Sequence, residues 1–107
     1  MTDDTVLSLS SDQLADILTG ADAPTLIDVR DEDEFAAGHI EGAINVPLTQ
    51  VAPLFDDPEN AKPMIFICQS GVRSLQAANF AKIAGLMQPR SLDGGMAAWK
   101  RHEVGDQ

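Results

Sequence analysis

Short apolar runs alternate with segments of helical periodicity along the chain, and this alternation limits the folds that are open to it. Strands that are separated by helices connect by right-handed crossovers and form a mostly parallel sheet. The sequence therefore predicts an α/β fold, in which functional sites lie beyond the carboxyl ends of the strands. Five runs have the length and residue types of strands; they are residues 6–9, 25–29, 43–46, 64–67 and 89–92.

Helix-start signals precede two of the segments of helical periodicity. Ser10 with Gln13, and Asp31 with Glu34, form capping-box patterns. Residues 48–55 are ambiguous, because a proline within them limits any helix there. The predicted helices are residues 10–20, 31–38, 73–86 and 96–101.

The composition excludes several classes of protein. Seven Lys and Arg residues against 17 Asp and Glu give a net charge of -10, which is unfavourable for binding nucleic acid or an anionic membrane. A single cysteine allows neither an internal disulfide nor a four-cysteine zinc site. The sequence has no apolar run long enough to span a membrane, and its acidic start is unlike a signal peptide. We therefore expect one domain over residues 1–107, located in the cytoplasm, where the thiol stays reduced.

The most informative segment is the loop after the strand at 64–67. A strand-to-helix loop directs successive backbone N–H groups at one point, and the helix start adds its positive dipole end. A thiolate at that point gains hydrogen bonds and a favourable field, so we expect the pKa of the cysteine to be lowered. The glycine lets the backbone turn in closely, and the arginine adds a permanent positive charge. The segment reads Cys68-Gln69-Ser70-Gly71-Val72-Arg73-Ser74.

A lone cysteine at a strand end is commonly a small buried hydrophobic residue. That role requires neither a glycine nor an arginine in the loop, so this pattern favours a functional thiol. Only four residues separate Cys68 from Arg73. Phosphatases with a cysteine nucleophile have one more residue there. The shorter loop makes a tighter ring of N–H groups, which suits one or two sulfur atoms better than a phosphoryl group.

Three further blocks accompany the loop in a fixed order. They are Leu26-Ile27-Asp28-Val29-Arg30 followed by Glu34 and Phe35, then Gly38-His39-Ile40-Glu41-Gly42-Ala43-Ile44-Asn45-Val46-Pro47, and finally Leu92-Asp93-Gly94-Gly95-Met96-Ala97-Ala98-Trp99. With the loop, these blocks resemble the rhodanese-like domains, the sulfurtransferase family, over nearly the whole chain. The resemblance implies a central, mostly parallel five-stranded sheet with helices on both faces.

The resemblance also implies a double displacement. The Cys68 thiolate takes the outer sulfur of a donor such as thiosulfate, sulfite leaves, and cyanide or a thiol then accepts sulfur from the Cys68 persulfide. No metal or organic cofactor is required. The residues implied to bind the substrate are Gln69, Ser70, Gly71, Val72, Arg73 and Ser74.

Asp28 and Arg30 end the second strand, and we expect them to face the same side as Cys68. In a supporting role, Asp28 would cap or pin loop backbone, and Arg30 would pair with an acid such as Glu34 or help bind the donor. The alternative is a structural salt bridge at the rim of the sheet.

Other conspicuous residues have structural interpretations. His39 lacks an evident catalytic partner and is expected to be structural. Trp99 is expected to pack the last helix onto the core or its rim. Gly94 and Gly95 are expected to permit the turn before that helix.

Four functions from different classes remain open at this stage. The leading one is a sulfurtransferase enzyme, followed by a carrier that passes persulfide sulfur between proteins with little thiosulfate activity. A cysteine phosphatase or arsenate reductase and an inactive interaction domain are less consistent with the loop. The predicted partners are a small sulfur donor and a thiol, cyanide or protein acceptor, with the chain a monomer or weak dimer. Because Gln69 is neutral and the chain is acidic, steering should oppose an anionic donor, and added salt should speed its reaction.

Overall fold

The computed structural model describes residues 7–20, 24–56, 63–86 and 89–103. Within these ranges, strands alternate with helical segments, as the apolar pattern predicts; these segments are α-helices except between the third and fourth strands, where the described residues form 3-10 turns. The elements are β1 (Leu7–Leu9), α1 (Ser11–Leu18), β2 (Thr25–Asp28), α2 (Glu32–Ala36), β3 (Ile44–Asn45), β4 (Met64–Ile67), α3 (Val72–Ile83), β5 (Arg90–Leu92) and α4 (Gly95–Glu103).

The five strands form one sheet in the order β1-β5-β4-β2-β3. Every pair of neighbouring strands is parallel, which confirms the predicted fold class. All carboxyl ends therefore lie at one edge of the sheet. The central strand β4 has β5 on one side and β2 on the other, so the loops after β2 and β4 are neighbours at that edge.

Two apolar layers cover the opposite faces of the sheet. Alternate residues of a strand point to opposite faces, and in β4 Phe66 lies in one layer while Ile65 and Ile67 lie in the other. Helix α3 packs on the Phe66 side through small side chains that allow close approach, namely Ala77, Ala78 and Ala81. Helices α1 and α4 pack on the other side, through Leu14, Met96 and Trp99.

The boundaries differ from the predicted ones by a few residues. Val29 lies one residue beyond β2, although its N–H still donates to the Ile67 carbonyl at 2.8 Å. The ambiguous segment forms two short 3-10 turns, Leu48–Gln50 and Ala52–Asp56. Helix α4 is longer than predicted, and Val6 of the first predicted strand lies outside the described residues.

The predicted capping boxes start α1 and α2. The Ser10 hydroxyl accepts from the Gln13 N–H at 3.1 Å, and Gln13 Oε1 accepts from the Ser10 N–H at 2.8 Å. At α2, the Asp31 N–H donates to Glu34 Oε1 at 3.0 Å. This bond fixes the Glu34 side chain at the carboxyl edge of the sheet, so the second capping box helps to position a residue of the site described below.

The turn before α4 brings the start of that helix onto the backbone that follows β4. Gly95 has a φ of 58°, and a Cβ atom there would collide with the Cys68 carbonyl oxygen. The N–H groups of Met96 and Ala97 donate to the carbonyls of Cys68 and Gln69 at 2.8 and 3.1 Å. Only glycine allows this close approach of two backbone segments.

We predict that Gly95→Ala destabilises the fold by about 3 kcal/mol, because it combines left-handed backbone strain with a collision against backbone. Gly85→Ala is the matched control. Gly85 also has a positive φ, of 94°, but a Cβ there meets nothing within 4 Å. This control should lose only about 1 kcal/mol. Urea unfolding measures both values, and equal losses would show that the contact at Gly95 is unimportant.

Candidate active site

Cys68 lies directly after the central strand β4 and is 1% exposed. Its Sγ atom accepts the N–H of Gly71 at 3.0 Å and the N–H of Ser74 at 3.3 Å. The Ser74 hydroxyl oxygen lies 3.4 Å from the same sulfur. The short loop thus wraps around the sulfur and surrounds it with hydrogen-bond donors.

These contacts stabilise the thiolate. Burial by itself raises the pKa of Cys68, since it removes water from the charged form. Hydrogen bonds from the Ser74 hydroxyl and from the backbone of Ser74, Gly71 and Ser70 outweigh that effect. The pKa of Cys68 is therefore lowered from the ordinary value of a thiol, in the direction that the sequence predicts.

Ser91 also belongs to the hydrogen-bond network around Cys68, although the sequence does not predict it. Its hydroxyl lies 2.7 Å from the Ser74 hydroxyl, and both side chains are buried. When Ser74 donates to the sulfur, Ser91 can donate to Ser74, which gives a short relay of buried hydroxyls. Ser91 lies on β5, beside β4, so only the strand order brings it to the site.

Helix α4 holds the first two carbonyls of the segment, those of Cys68 and Gln69. The Gln69 carbonyl accepts from the Ala97 N–H. A trans peptide places the C=O of one residue and the N–H of the next on opposite sides, so this bond turns the Ser70 N–H towards Cys68. Gly71 has a φ of 102°, and a Cβ there would come within 3.2 Å of the Gly94 nitrogen.

The outer side chains of the loop, Gln69, Ser70 and Val72, are exposed.

Arg73 closes the loop, and its guanidinium group forms an ion pair with Glu34 of the neighbouring helix α2. Its two terminal nitrogens donate to Glu34 Oε1 and Oε2 at 3.0 and 3.2 Å. This bidentate pair lowers the pKa of Glu34 and raises that of Arg73. Because Glu34 also accepts from the Asp31 N–H, the start of α2 is joined to the start of α3 across the carboxyl edge of the sheet.

Arg30 pairs with an acid, as the sequence predicts, but that acid is not Glu34. Arg30 instead donates to Asp28 through Nε and Nη2, at 2.9 and 2.8 Å, and through Nη2 to the Gly38 carbonyl at 2.7 Å. Both members of the Asp28–Arg30 pair are buried, at 0% and 3% exposure. The salt bridge that the sequence offered as the alternative is present, but it lies inside the protein rather than at an exposed rim.

The expectation that Asp28 faces the same side as Cys68 is also wrong. Ile27 and Val29 belong to the layer that contains Cys68, and strand alternation turns Asp28 to the opposite face. Asp28 Oδ1 does pin backbone, by accepting from the Arg30 N–H at 3.1 Å, but this is the turn after β2 and not the cysteine loop. The pair thus supports the neighbouring loop, where its hydrogen bonds join Asp28, Arg30 and the Gly38 carbonyl.

His39 and Trp99 occupy structural positions. His39 Nδ1 lies 2.9 Å from the Phe35 carbonyl, and its ring stacks on Phe35. Trp99 is 8% exposed and belongs to the apolar layer beneath α4. The packing of Trp99 in this layer agrees with the sequence analysis.

The described part of the chain contains no group of three or more His, Cys, Asp and Glu side chains that could hold a metal ion. In the same residues, no helix combines the length and the apolar character that a membrane span requires.

Comparison with known proteins agrees with this geometry. Residues 10–102 match the family description "Rhodanese-like domain". The chain is 34% identical over 96 residues to the thiosulfate sulfurtransferase GlpE of Shewanella oneidensis, covering 90% of this chain and 92% of that protein. It is 29% identical to a sulfurtransferase of Allochromatium vinosum, with 91% of each chain covered.

The solved structures extend the likeness to three dimensions. The human single-domain sulfurtransferase TSTD1 superposes with a TM-score of 0.77 at 30% identity, over 88% of this chain and 95% of that one. The sheet order, the cysteine loop at the end of its central strand and these matches lead to one conclusion: the chain belongs to the rhodanese-like domain family.

Proposed function

We propose that the chain is a sulfurtransferase that carries sulfane sulfur as a persulfide on Cys68. The observation that carries this proposal is the convergence of the Gly71 and Ser74 N–H groups and the Ser74 hydroxyl on one buried sulfur. The lowered pKa of Cys68 increases the fraction of its thiol that is present as the nucleophilic thiolate. The sulfurtransferase names of its relatives support the same reaction class.

In the first half-reaction, the Cys68 thiolate attacks the outer sulfur of the donor. With thiosulfate, a bond forms between Sγ and that outer sulfur while the bond to the sulfonate sulfur breaks. Its electron pair leaves with sulfite, so no separate oxidant is needed. The side chains of Gln69, Ser70 and Val72 are exposed on the loop, and we expect the donor to meet them as it approaches the sulfur.

In the second half-reaction, an acceptor nucleophile attacks the outer sulfur of the persulfide. The bond between the two sulfurs breaks, and its electron pair returns to Cys68 as the thiolate. The loop donors stabilise the negative charge on sulfur at the beginning and at the end of the cycle. Cyanide gives thiocyanate, and a thiol gives a new persulfide.

A carrier that exchanges sulfur with other proteins is the second candidate. It is favoured by the Arg73–Glu34 pair, which compensates the one cationic side chain of the loop. With Gln69 neutral as well, the loop offers a dianion such as thiosulfate little side-chain charge. Both candidates use the same persulfide and differ in the donor.

We predict that the protein gains the mass of one sulfur atom when it is incubated with thiosulfate or with inorganic polysulfide. Cyanide should remove the added mass and release thiocyanate. Cys68→Ser is the control and should remain unmodified, because its hydroxyl is not a comparable nucleophile. Intact mass spectrometry makes the measurement. Failure of every sulfane donor to load the wild-type protein would refute the proposal, and loading by polysulfide alone would favour the carrier.

We predict that Ser74→Ala raises the pKa of Cys68, since one hydrogen bond to the charged sulfur is lost. The rate of alkylation by iodoacetamide, a neutral reagent, follows the thiolate fraction. Its half-maximal point should therefore move to higher pH, and the rate at neutral pH should fall. Ser91→Ala should produce a smaller shift in the same direction, because it removes only the support for the Ser74 hydroxyl. An unchanged profile in both variants would show that the hydroxyls do not stabilise the thiolate.

We predict that Glu34→Gln increases kcat/KM for thiosulfate about threefold or more at low salt, because the Arg73 charge is no longer compensated. The increase should shrink as ionic strength rises. Glu32→Gln is the matched control, since it removes the same charge from the exposed first turn of α2 without a hydrogen bond to Arg73. A lower kcat/KM in Glu34→Gln would instead mean that Glu34 is needed to position Arg73.

A further inference from the structure

The helix that begins at the cysteine loop has an exposed face without charge. Acidic residues dominate the chain, and exposed helix positions usually carry charged side chains. On α3, however, every exposed position is apolar or an amide, and the two charged residues of this helix, Arg73 and Lys82, are half-buried. These positions, here called the α3 face, are Val72, Leu75, Gln76, Asn79, Phe80 and Ile83.

The apolar members of the α3 face are strongly exposed. Val72 is 64% exposed, Phe80 52% and Ile83 83%. Positions separated by three, four or seven residues lie on one side of a helix, so these side chains form one stripe. Exposed apolar side chains that cluster in this way mark interaction sites.

The α3 face is continuous with the site, because Val72 belongs both to the cysteine loop and to the first turn of the helix. At 1.5 Å per residue, the stripe runs about 17 Å from Val72 to Ile83. Such a length suits a helix or strand of another protein rather than a small molecule. A segment bound along it would end beside the sulfur.

The surface on the other side of the loop is acidic. Glu32 and Asp33 are exposed in the first turn of α2, and Glu34 of the same turn pairs with Arg73 at the start of α3. A partner that covers the α3 face would therefore meet carboxylates next to the loop. A second copy of this chain is disfavoured, because two molecules of net charge -10 repel each other.

We infer that the α3 face is a docking surface for a protein sulfur acceptor whose cysteine is flanked by apolar side chains and by Lys or Arg. This inference rests on the proposed persulfide on Cys68. Apolar contacts along α3 would place the acceptor cysteine at the loop, and its basic residues would meet the acidic turn of α2. The acceptor thiolate attacks the outer sulfur, the bond to Cys68 Sγ breaks, and the electron pair remains on Cys68 as the thiolate.

The test uses the full chain after loading with inorganic polysulfide. The probes are synthetic peptides of about twelve residues, a helical length close to that of the α3 face. The first has one cysteine near its end, leucines at helical spacing and lysines elsewhere. In the second, serines replace the leucines, and in the third, glutamates replace the lysines. Rates of sulfur transfer are compared per concentration of peptide thiolate.

We expect the first peptide to react about tenfold faster than either of the others. The double variant Phe80→Gln with Ile83→Gln should slow the first peptide about fivefold and leave transfer to cyanide unchanged. Ile44→Gln is the matched control, since Ile44 is also exposed, at 53%, but lies on the edge strand β3. It should change neither rate.

Several outcomes would overturn the inference. Equal rates for the three peptides, or an unchanged rate in the double variant, would show that the α3 face does not bind the acceptor. A wild-type dimer in sedimentation that the double variant abolishes would show that a second copy covers the face. If no persulfide forms at all, the proposed function fails, and mass spectrometry before peptide addition distinguishes that case from a failure of docking alone.

Discussion

A sulfur anion out of contact with water has to receive hydrogen bonds from the protein, and this requirement organises the structure around Cys68. The N–H groups of Gly71 and Ser74 and the Ser74 hydroxyl surround the sulfur. Their arrangement depends on a loop with few residues between a buried strand and a helix. That loop needs a central parallel strand whose carboxyl end meets the start of the next helix, which the β4–α3 connection supplies.

The positive charge that stabilises the sulfur anion does not come mainly from a charged side chain. The one arginine of the loop is compensated by Glu34, so the stabilisation of the thiolate comes from fixed dipoles and hydroxyls. Backbone donors do not repel basic partners and do not attract anions from a distance. Such a site selects its substrate by close contact rather than by long-range electrostatic attraction. This agrees with the α3 face, whose exposed side chains beside the loop are uncharged.

The sequence was sufficient for the fold class and for the cysteine loop, because both follow from local patterns. Alternating strand and helix signals predict a parallel sheet, and the loop pattern places donors around Cys68. Ser91 could not be predicted, since it reaches Ser74 only through the order of the strands. The partner of Arg30 was misassigned for a related reason. Glu34 is near Arg30 in the sequence, but the folded chain buries Arg30 beside Asp28, and the two form the salt bridge.

The contact of α4 with the loop determines which segments would have to be transferred together if this site were built into another protein. The carbonyls of Cys68 and Gln69 are held by N–H groups of Met96 and Ala97, which come from a distant part of the sequence. A graft of the loop alone onto another strand-to-helix junction would leave those carbonyls free to rotate towards the sulfur. The transplantable unit therefore includes the Gly94–Gly95 turn and the first turn of the last helix, although neither contains a reacting atom.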